Sequence, residues 1–263
     1  MELCINADDF GISKEVNEAI KVCFDREYIT NTTIMVNMPY TDEAVNIAFQ
    51  SGFFRKVGLH LNLTKGEPLT EKIKGNPLFC DKNGMFNGCF HSNPKNRMFL
   101  FSGALEGLKE EITAQFTRYK AFGFSENHMD SHHHVHTDLS ILKTIIPIFQ
   151  ENDFSSMRLL RNIGFNNAFS PRQIYKTLIN QKIRYSVPHF TDAFGDFDDY
   201  LGNNRLSEYF TKYATIELMC HPIMEVGNII NGYARSDITV SFEKIEGYLK
   251  GCKKISYSEL KDK

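Results

Sequence analysis

The chain has 263 residues, of which 42% are apolar and 24% charged, and its formal net charge is −2. That balance suits a globular chain with a sizeable core, at a length common for one α/β barrel domain, and it excludes wholesale disorder. No long run of one charge sign invites nucleic acid or an anionic membrane, and no apolar run reaches the roughly 18–20 residues that span a bilayer.

Short apolar runs alternate with amphipathic segments along the chain. Leu3–Asn6 reads as a buried strand. Ser13 is an N-cap for a helix whose Val16, Ala19, Ile20, Cys23 and Phe24 form one apolar stripe. Thr32–Val36 is β-branched and strand-like, Asp42 is placed to cap a helix through Phe49, and Val57–Leu63 is the next strand. Lys65 to Ser102 is irregular, with three prolines, and reads as a functional excursion or a lid. From Ser102 to Gly123 the pattern is helical again, with Leu105, Leu108, Ile112 and Phe116 on one face and Gly123 at the end. Asn127–Ser131 is a strand. Asp138 caps a helix holding Leu142, Ile145, Ile146 and Phe149, bent at Pro147. Met157–Leu160 is a strand, Ser170-Pro171 starts a helix through Asn180, Thr215–Cys220 is a strand, and Phe242–Leu249 is a helix.

No internal repeat or linker interrupts this alternation, which favours a single parallel-sheet domain over residues 1–263, open or closed into a barrel. The six cysteines include no C-x-x-C pair, and no secretory leader precedes the first strand. They read as reduced, buried thiols of a cytoplasmic protein.

Polar residues gather at strand ends, where parallel α/β folds build their sites. Asp8 and Asp9 follow the first strand, and His60 lies near the end of the third. Asp130 and the cluster His132, His133, His134 and His136 follow another, His221 follows Thr215–Cys220, and Arg158 sits on Met157–Leu160. The two carboxylates need not point the same way, so one could bind a metal while the other stays free as a base. Alternation puts His60, Asn62 and Thr64 on one strand face. If the histidine tract stays extended, His128, Asp130, His132, His134 and His136 share a face. Histidine is the commonest protein metal ligand at neutral pH, yet this spacing permits several ligands and selects none. Arg158 and Arg161 are either surface charges or, if buried beside a carboxylate, the groups that keep it ionised.

Four motifs occur in order: Asn6-Ala-Asp-Asp-Phe-Gly-Ile-Ser13, Gly58-Leu-His-Leu-Asn-Leu-Thr64, His128-Met-Asp-Ser-His-His-His-Val-His136 and Met219-Cys-His-Pro222. Together they resemble the YdjC-like carbohydrate deacetylases, which include chitooligosaccharide deacetylases, from the first strand to about Arg235. The resemblance implies an incomplete, seven-stranded (β/α) barrel of the polysaccharide-deacetylase type. It implies removal of the N-acetyl group from an amino sugar or short chitooligosaccharide with one divalent cation, Mg2+ or Zn2+. Matched by position, Asp9, His60 and His132 are the metal ligands, Asp8 the base, His221 the acid and Arg158 the arginine beside the base. Asn62, Asp130 and Arg235 are expected to bind substrate. Residues 65–102 have no clear counterpart and are expected to shape the sugar pocket.

Two other readings compete. A metal-dependent phosphoesterase on the same scaffold ranks second, because no Gly-rich phosphate loop is present. A non-catalytic sugar- or metal-binding protein would keep the ligands without needing Asp8 or His221. A homodimer is compatible with how common symmetric assemblies are, but no interface stripe in the sequence marks one.

Overall fold

The computed structural model describes residues 1–163, 170–197, 211–249 and 251–261. Strand β1 (Glu2–Phe10) leads into helix α1 (Lys14–Asp25), followed by β2 (Asn31–Ile34), α2 (Thr41–Gln50) and β3 (Val57–Leu61). Three short helices then cross the expected irregular stretch: α3 (Glu71–Lys74), α4 (Cys89–Ser92) and α5 (Pro94–Met98). The long helix α6 (Ser102–Ala121) returns to β4 (His128–Ser131), a 3-10 turn over His132–Thr137, and α7 (Leu139–Glu151). After β5 (Ser156–Met157) come α8 (Pro171–Ser186), β6 (Ala193–Asp196) and β7 (Thr215–Cys220). The hairpin β8 (Pro222–Glu225) and β9 (Asn228–Asn231), helix α9 (Ile238–Leu249) and the short β10 (Lys253–Lys254) complete the order.

Seven strands run parallel in the order β5-β4-β3-β2-β1-β7-β6, and β10 pairs with the start of β1. Among the described residues β5 and β6 do not pair with each other, so the barrel is incomplete. Strand β1 pairs with β2, β7 and β10, and its Leu3, Cys4, Ile5 and Ala7 are fully buried. Such a run of apolar residues is what a strand covered on both faces requires. Because every strand of the path is parallel, all seven carboxyl ends open on one side, and the site residues are collected there.

The structure moves several expected boundaries. Strand β1 does not stop at Asn6 but runs through both aspartates. The helix near Asp42 begins at Thr41 with Tyr40 at its cap position and no side-chain cap bond, so Asp42 lies inside the first turn. On α6 the inward face is Ala104, Gly107, Leu108, Glu111, Ile112, Gln115, Phe116 and Tyr119, while Leu105 stays 37% exposed. Close packing rotates that helix: a Cβ on Gly107 would sit 3.3 Å from the Ile73 Cα of α3. Ser170 does cap its helix, accepting from the Gln173 N–H at 3.2 Å, but the helix continues to Ser186. Strand β6 and the β8–β9 hairpin have no counterpart among the expected elements. Both are short, and Gly195 and the Pro222 start dilute their apolar pattern. None of the six cysteines is in a disulfide; four are buried, but Cys89 is exposed and Cys252 half-buried. No helix among the described residues is long and apolar enough to cross a membrane.

Candidate functional site

Two adjacent residues on a regular strand face opposite ways. Asp8 and Asp9 escape that rule because the register of β1 against β2 shifts between Ala7 and Phe10, and Asp9 adopts φ 70°. A bulge of this kind re-aims side chains at a strand end. It sends the two carboxylates to different partners inside one site.

Asp9 turns toward the histidines. Its Oδ1 lies 3.1 Å from His60 Nε2 and 2.7 Å from His132 Nδ1. One ligand atom from each of Asp9, His60 and His132 falls within 4.8 Å of the others, and all three residues are buried. The second ring nitrogen of His60 is fixed by Asp130 Oδ1 at 2.7 Å and by Thr33 Oγ1 at 3.1 Å. A carboxylate behind a histidine is the usual means of orienting a metal-binding imidazole.

Asp8 turns toward Arg158. The guanidinium donates from Nη1 to Asp8 Oδ2 at 2.6 Å and from Nη2 to Oδ1 at 2.8 Å, while Asn6 Nδ2 donates to Oδ1 at 2.8 Å. Arg158 also meets Asp130 Oδ2 at 2.6 Å and Glu217 Oε1 at 2.5 Å, and its guanidinium stands 4.7 Å from the Phe194 ring centre. Arg158 itself is fully buried, just past the end of β5 rather than within a strand over Met157–Leu160. It is therefore no surface charge, and its burial is tolerable only because three carboxylates surround it.

The titration of these groups follows from the geometry. Burial alone would raise the Asp8 pKa, but the Arg158 guanidinium outweighs it and holds the carboxyl well below its usual range. Burial is likewise overcome at Asp9 by hydrogen bonds from His132 and His60, which keep it strongly acidic. Burial works against a charged His60, yet Asp130, with help from Asp9 and Asp8, raises it to about 10. Glu217, deep in β7, is pushed up by burial and accepts a hydrogen bond from the Tyr257 hydroxyl at 2.7 Å.

The histidine tract does not stay extended. Strand β4 ends at Ser131, and His133 and His134 take left-handed backbone conformations at φ 54° and 56°. Such residues cost energy off glycine, and they fan the side chains apart. His132 goes to Asp9, and His133 Nδ1 bonds Thr64 Oγ1 at 3.0 Å. His136 folds back to Ser131 Oγ and to the Arg158 carbonyl. His128 lies under the sheet end against Ser156. Burial depresses His134 and His136, the latter to about 4, so both are neutral at ordinary pH.

These residues open on a cavity of about 700 Å³. Asp8, His60 and His132 line its floor, and His221 and Tyr233 one wall. His221 Nε2 stands 3.8 Å from Asp8 Oδ2, and its ring meets Tyr233 edge-on at 4.3 Å. The hairpin places it: the His221 N–H donates to Asn231 Oδ1 at 3.3 Å, and the Gly232 N–H donates to the His221 carbonyl at 2.8 Å. Thr64, Asn87, His91 and Ser92 form another wall, supplied largely by the 65–102 excursion.

Of the residues expected to bind substrate, none faces this cavity. Asn62 is fully buried and ties its own loop, donating to Asn37 Oδ1 and the Lys65 carbonyl and accepting from the Thr64 and Lys65 N–H groups. Asp130 is also fully buried, consumed by His60, Thr33 and Arg158. Arg235 is exposed and paired with Glu225 across the hairpin. Sequence reasoning passed over Asn6, Thr33, Glu217, Tyr233 and His91. Glu217 carried a readable signal, since an acid inside the otherwise apolar Thr215–Cys220 needs a buried partner.

A family model described as YdjC-like protein matches residues 2–244. A carbohydrate deacetylase of Clostridium beijerinckii is 31% identical over 225 residues, 84% of this chain and 81% of that protein. A carbohydrate deacetylase of Brevibacillus brevis is 30% identical over 241 residues, 91% and 89% of the two chains. Among solved structures, an Enterococcus faecalis chain described as a candidate cellobiose-phosphate cleavage protein superposes with a TM-score of 0.69 at 22% identity. It covers 98% of this chain and 97% of its own, and so shares the fold.

Proposed function

This chain belongs to the YdjC-like protein family, and on that footing we propose that it is a metal-dependent hydrolase releasing acetate from an N-acetylated amino sugar or short chitooligosaccharide. The observation that carries the reading is the division of labour between the paired aspartates: Asp9 converges with His60 and His132, and Asp8 is clamped by Arg158 beside them.

The donor set fits one divalent cation, Mg2+ or Zn2+. One carboxylate and two imidazoles leave positions open for water and substrate, as catalytic sites need. Three buried carboxylates, Asp8, Asp130 and Glu217, also gather around the single guanidinium of Arg158, and Asp9 lies beside them on His60 and His132, so the floor holds more carboxylates than fixed cations. Asp8, His60 and Asp130 make a second close group, but Arg158 already occupies both of its carboxylates. This supports Asp9, not Asp8, as the ligand. A cation held there would supply Lewis acidity toward water and the acetamide carbonyl.

The remaining work falls to the chain. Arg158 keeps Asp8 ionised and aimed at the cavity, so it is ready to take a proton from the attacking water. The same clamp makes Asp8 a weak base that does not retain the proton. His221, 3.8 Å from Asp8 Oδ2, is the group able to protonate the departing amine. The excursion wall limits how water and sugar reach this floor.

The test separates the aspartates. Asp8→Asn should keep its metal while acetate release from N-acetylglucosamine oligomers falls by on the order of 10²–10⁴. Asp9→Asn should lose the metal, as read by elemental analysis of the purified protein. Metal loss in Asp8→Asn would exchange the two roles. Wild-type protein that binds metal yet frees no acetate from any amide sugar would point to a binding protein instead.

A further inference from the structure

Asp138 occupies the N-cap position of α7, where an aspartate ordinarily bonds the first-turn N–H groups. It does not do so. Its carboxylate, with no exposed surface, accepts from Arg97 Nε at 2.5 Å and holds His91 Nδ1 at 2.7 Å. A favourable cap has been given up to fix one imidazole.

That imidazole belongs to the excursion, which is fastened from several directions. Phe90, next to His91, is fully buried and packs its ring 5.1 Å from Phe79. Helix α5 is tied to α7 by the Ser140 hydroxyl donating to the Asn96 carbonyl at 2.7 Å. His91 is consequently set by packing and by a buried carboxylate, the arrangement that makes a recognition group precise. Its side chain is 27% exposed and lines the cavity beside Asn87, Ser92 and Thr64.

The chemistry of the ring is constrained. An ionised carboxylate only accepts, so Nδ1 of His91 carries the proton shared with Asp138. Nε2 is left for the cavity, accepting from a hydroxyl when neutral and donating to one when protonated. Either form suits a sugar hydroxyl. Position narrows the choice: the His133 ring stands 4.1 Å from the His132 ring and its Nδ1 bonds Thr64 at 3.0 Å, Gly88 lies against Thr64, and the His91 N–H donates to the Gly88 carbonyl at 3.1 Å, so His133, Thr64 and Gly88 line the cavity between His132 and His91. His91 therefore stands one step beyond the place of the acetamide. The volume of about 700 Å³ falls within the roughly 300–1,000 Å³ that holds a drug-sized ligand and exceeds what a single amino sugar fills.

We infer that His91, oriented by Asp138, is a specificity-determining residue that binds a hydroxyl of the sugar ring adjoining the acetylated one. The inference rests on the deacetylase reading of the floor, and it adds which side chain of the excursion contacts the second ring. Two substitutions separate recognition from support. The amide nitrogen of Asn reaches the place of Nδ1 and can keep the Asp138 contact without a cavity-facing group. That of Gln reaches the place of Nε2 and keeps the cavity contact alone.

The experiment measures the affinity of metal-loaded protein carrying Asp8→Asn for N,N′-diacetylchitobiose and for N-acetylglucosamine by calorimetric titration. It is paired with acetate release by the otherwise wild-type chain. His91→Asn should weaken disaccharide binding roughly three- to tenfold and raise KM by the same factor. It should leave kcat and monosaccharide binding within about twofold. His91→Gln should retain most of the disaccharide affinity. Normal binding by His91→Asn, with or without a loss in His91→Gln, would overturn the assignment, as would an equal loss for both sugars. Should no acetate be released at all while the binding pattern holds, the deacetylase reading fails and the hydroxyl contact of His91 stands.

Discussion

The floor and the excursion wall of the cavity are both polar, but they are built on opposite terms. On the floor, Asp8, Asp9, Asp130, Glu217 and Arg158 are all nearly or wholly buried, and each of them has charged or imidazole partners. On the wall, His91 and Ser92, like the Arg97 that shares Asp138 with His91, remain partly open to solvent, and the charged group buried behind them is Asp138. A buried network of charges is costly to form and more costly to leave incomplete, whereas a partly solvated one loses mainly its geometry. Changes to the floor should therefore register in stability as well as activity, and changes to the wall in recognition.

The largest effect expected from this contrast is at Arg158. Arg158→Met removes the one guanidinium among Asp8, Asp130 and Glu217 and should lower unfolding free energy by about 3–5 kcal/mol in urea titration. Arg97→Met takes a partner from Asp138 only, at a side chain 34% exposed, and should cost clearly less. Equal losses would erase the distinction between floor and wall.

Proton linkage sharpens the same contrast. The folded-state pKa of His60 is raised from 6.5 to about 10 by Asp130 against the effect of burial. In the metal-free protein its proton thus adds stability fully present below pH 6.5 and lost as pH rises through about 10. A cation held by His60 must displace that proton. Metal affinity should accordingly climb by about tenfold per pH unit between pH 7 and 9, measured by competition with a chelator of known proton linkage. A flat profile would mean that His60 is not a ligand. His91→Asn should leave the slope unchanged, because the wall takes no part in it.

The location of the floor was legible in the sequence because parallel folds place chemistry at strand ends, and each motif there lies at or just past the end of a strand. What was not legible was direction. Nothing in Asp8-Asp9 announces the register shift that parts the two carboxylates, and nothing in four clustered histidines announces left-handed turns at His133 and His134. Both depend on backbone conformations that single residues rarely favour. The assignments of Asn62, Asp130 and Arg235 to substrate failed to meet the cavity for a related reason: polarity in a strand-end motif is as often spent on holding the loop as on ligand. The wall was the least legible region, since His91 and Asp138 are 47 residues apart and carry no periodic signal.

The smallest effect expected lies where the excursion meets α6. Leucine spacing put Leu105 with Leu108, Ile112 and Phe116, yet α3 presses on Gly107 and turns the helix toward Ala104 and Glu111. Glu111, fully buried, accepts from the Leu69 and Thr70 N–H groups and the Thr70 hydroxyl, so a carboxylate takes over the anchoring that an apolar stripe would supply. Leu108→Ala, at a fully buried position, should cost about 2–5 kcal/mol. Leu105→Ala should stay within about 0.5 kcal/mol and leave cavity binding intact. If Leu105→Ala instead weakened disaccharide binding, the wall would depend on the exposed edge of α6 as well as on its buried carboxylate, and the separation of recognition from packing would fail in this region.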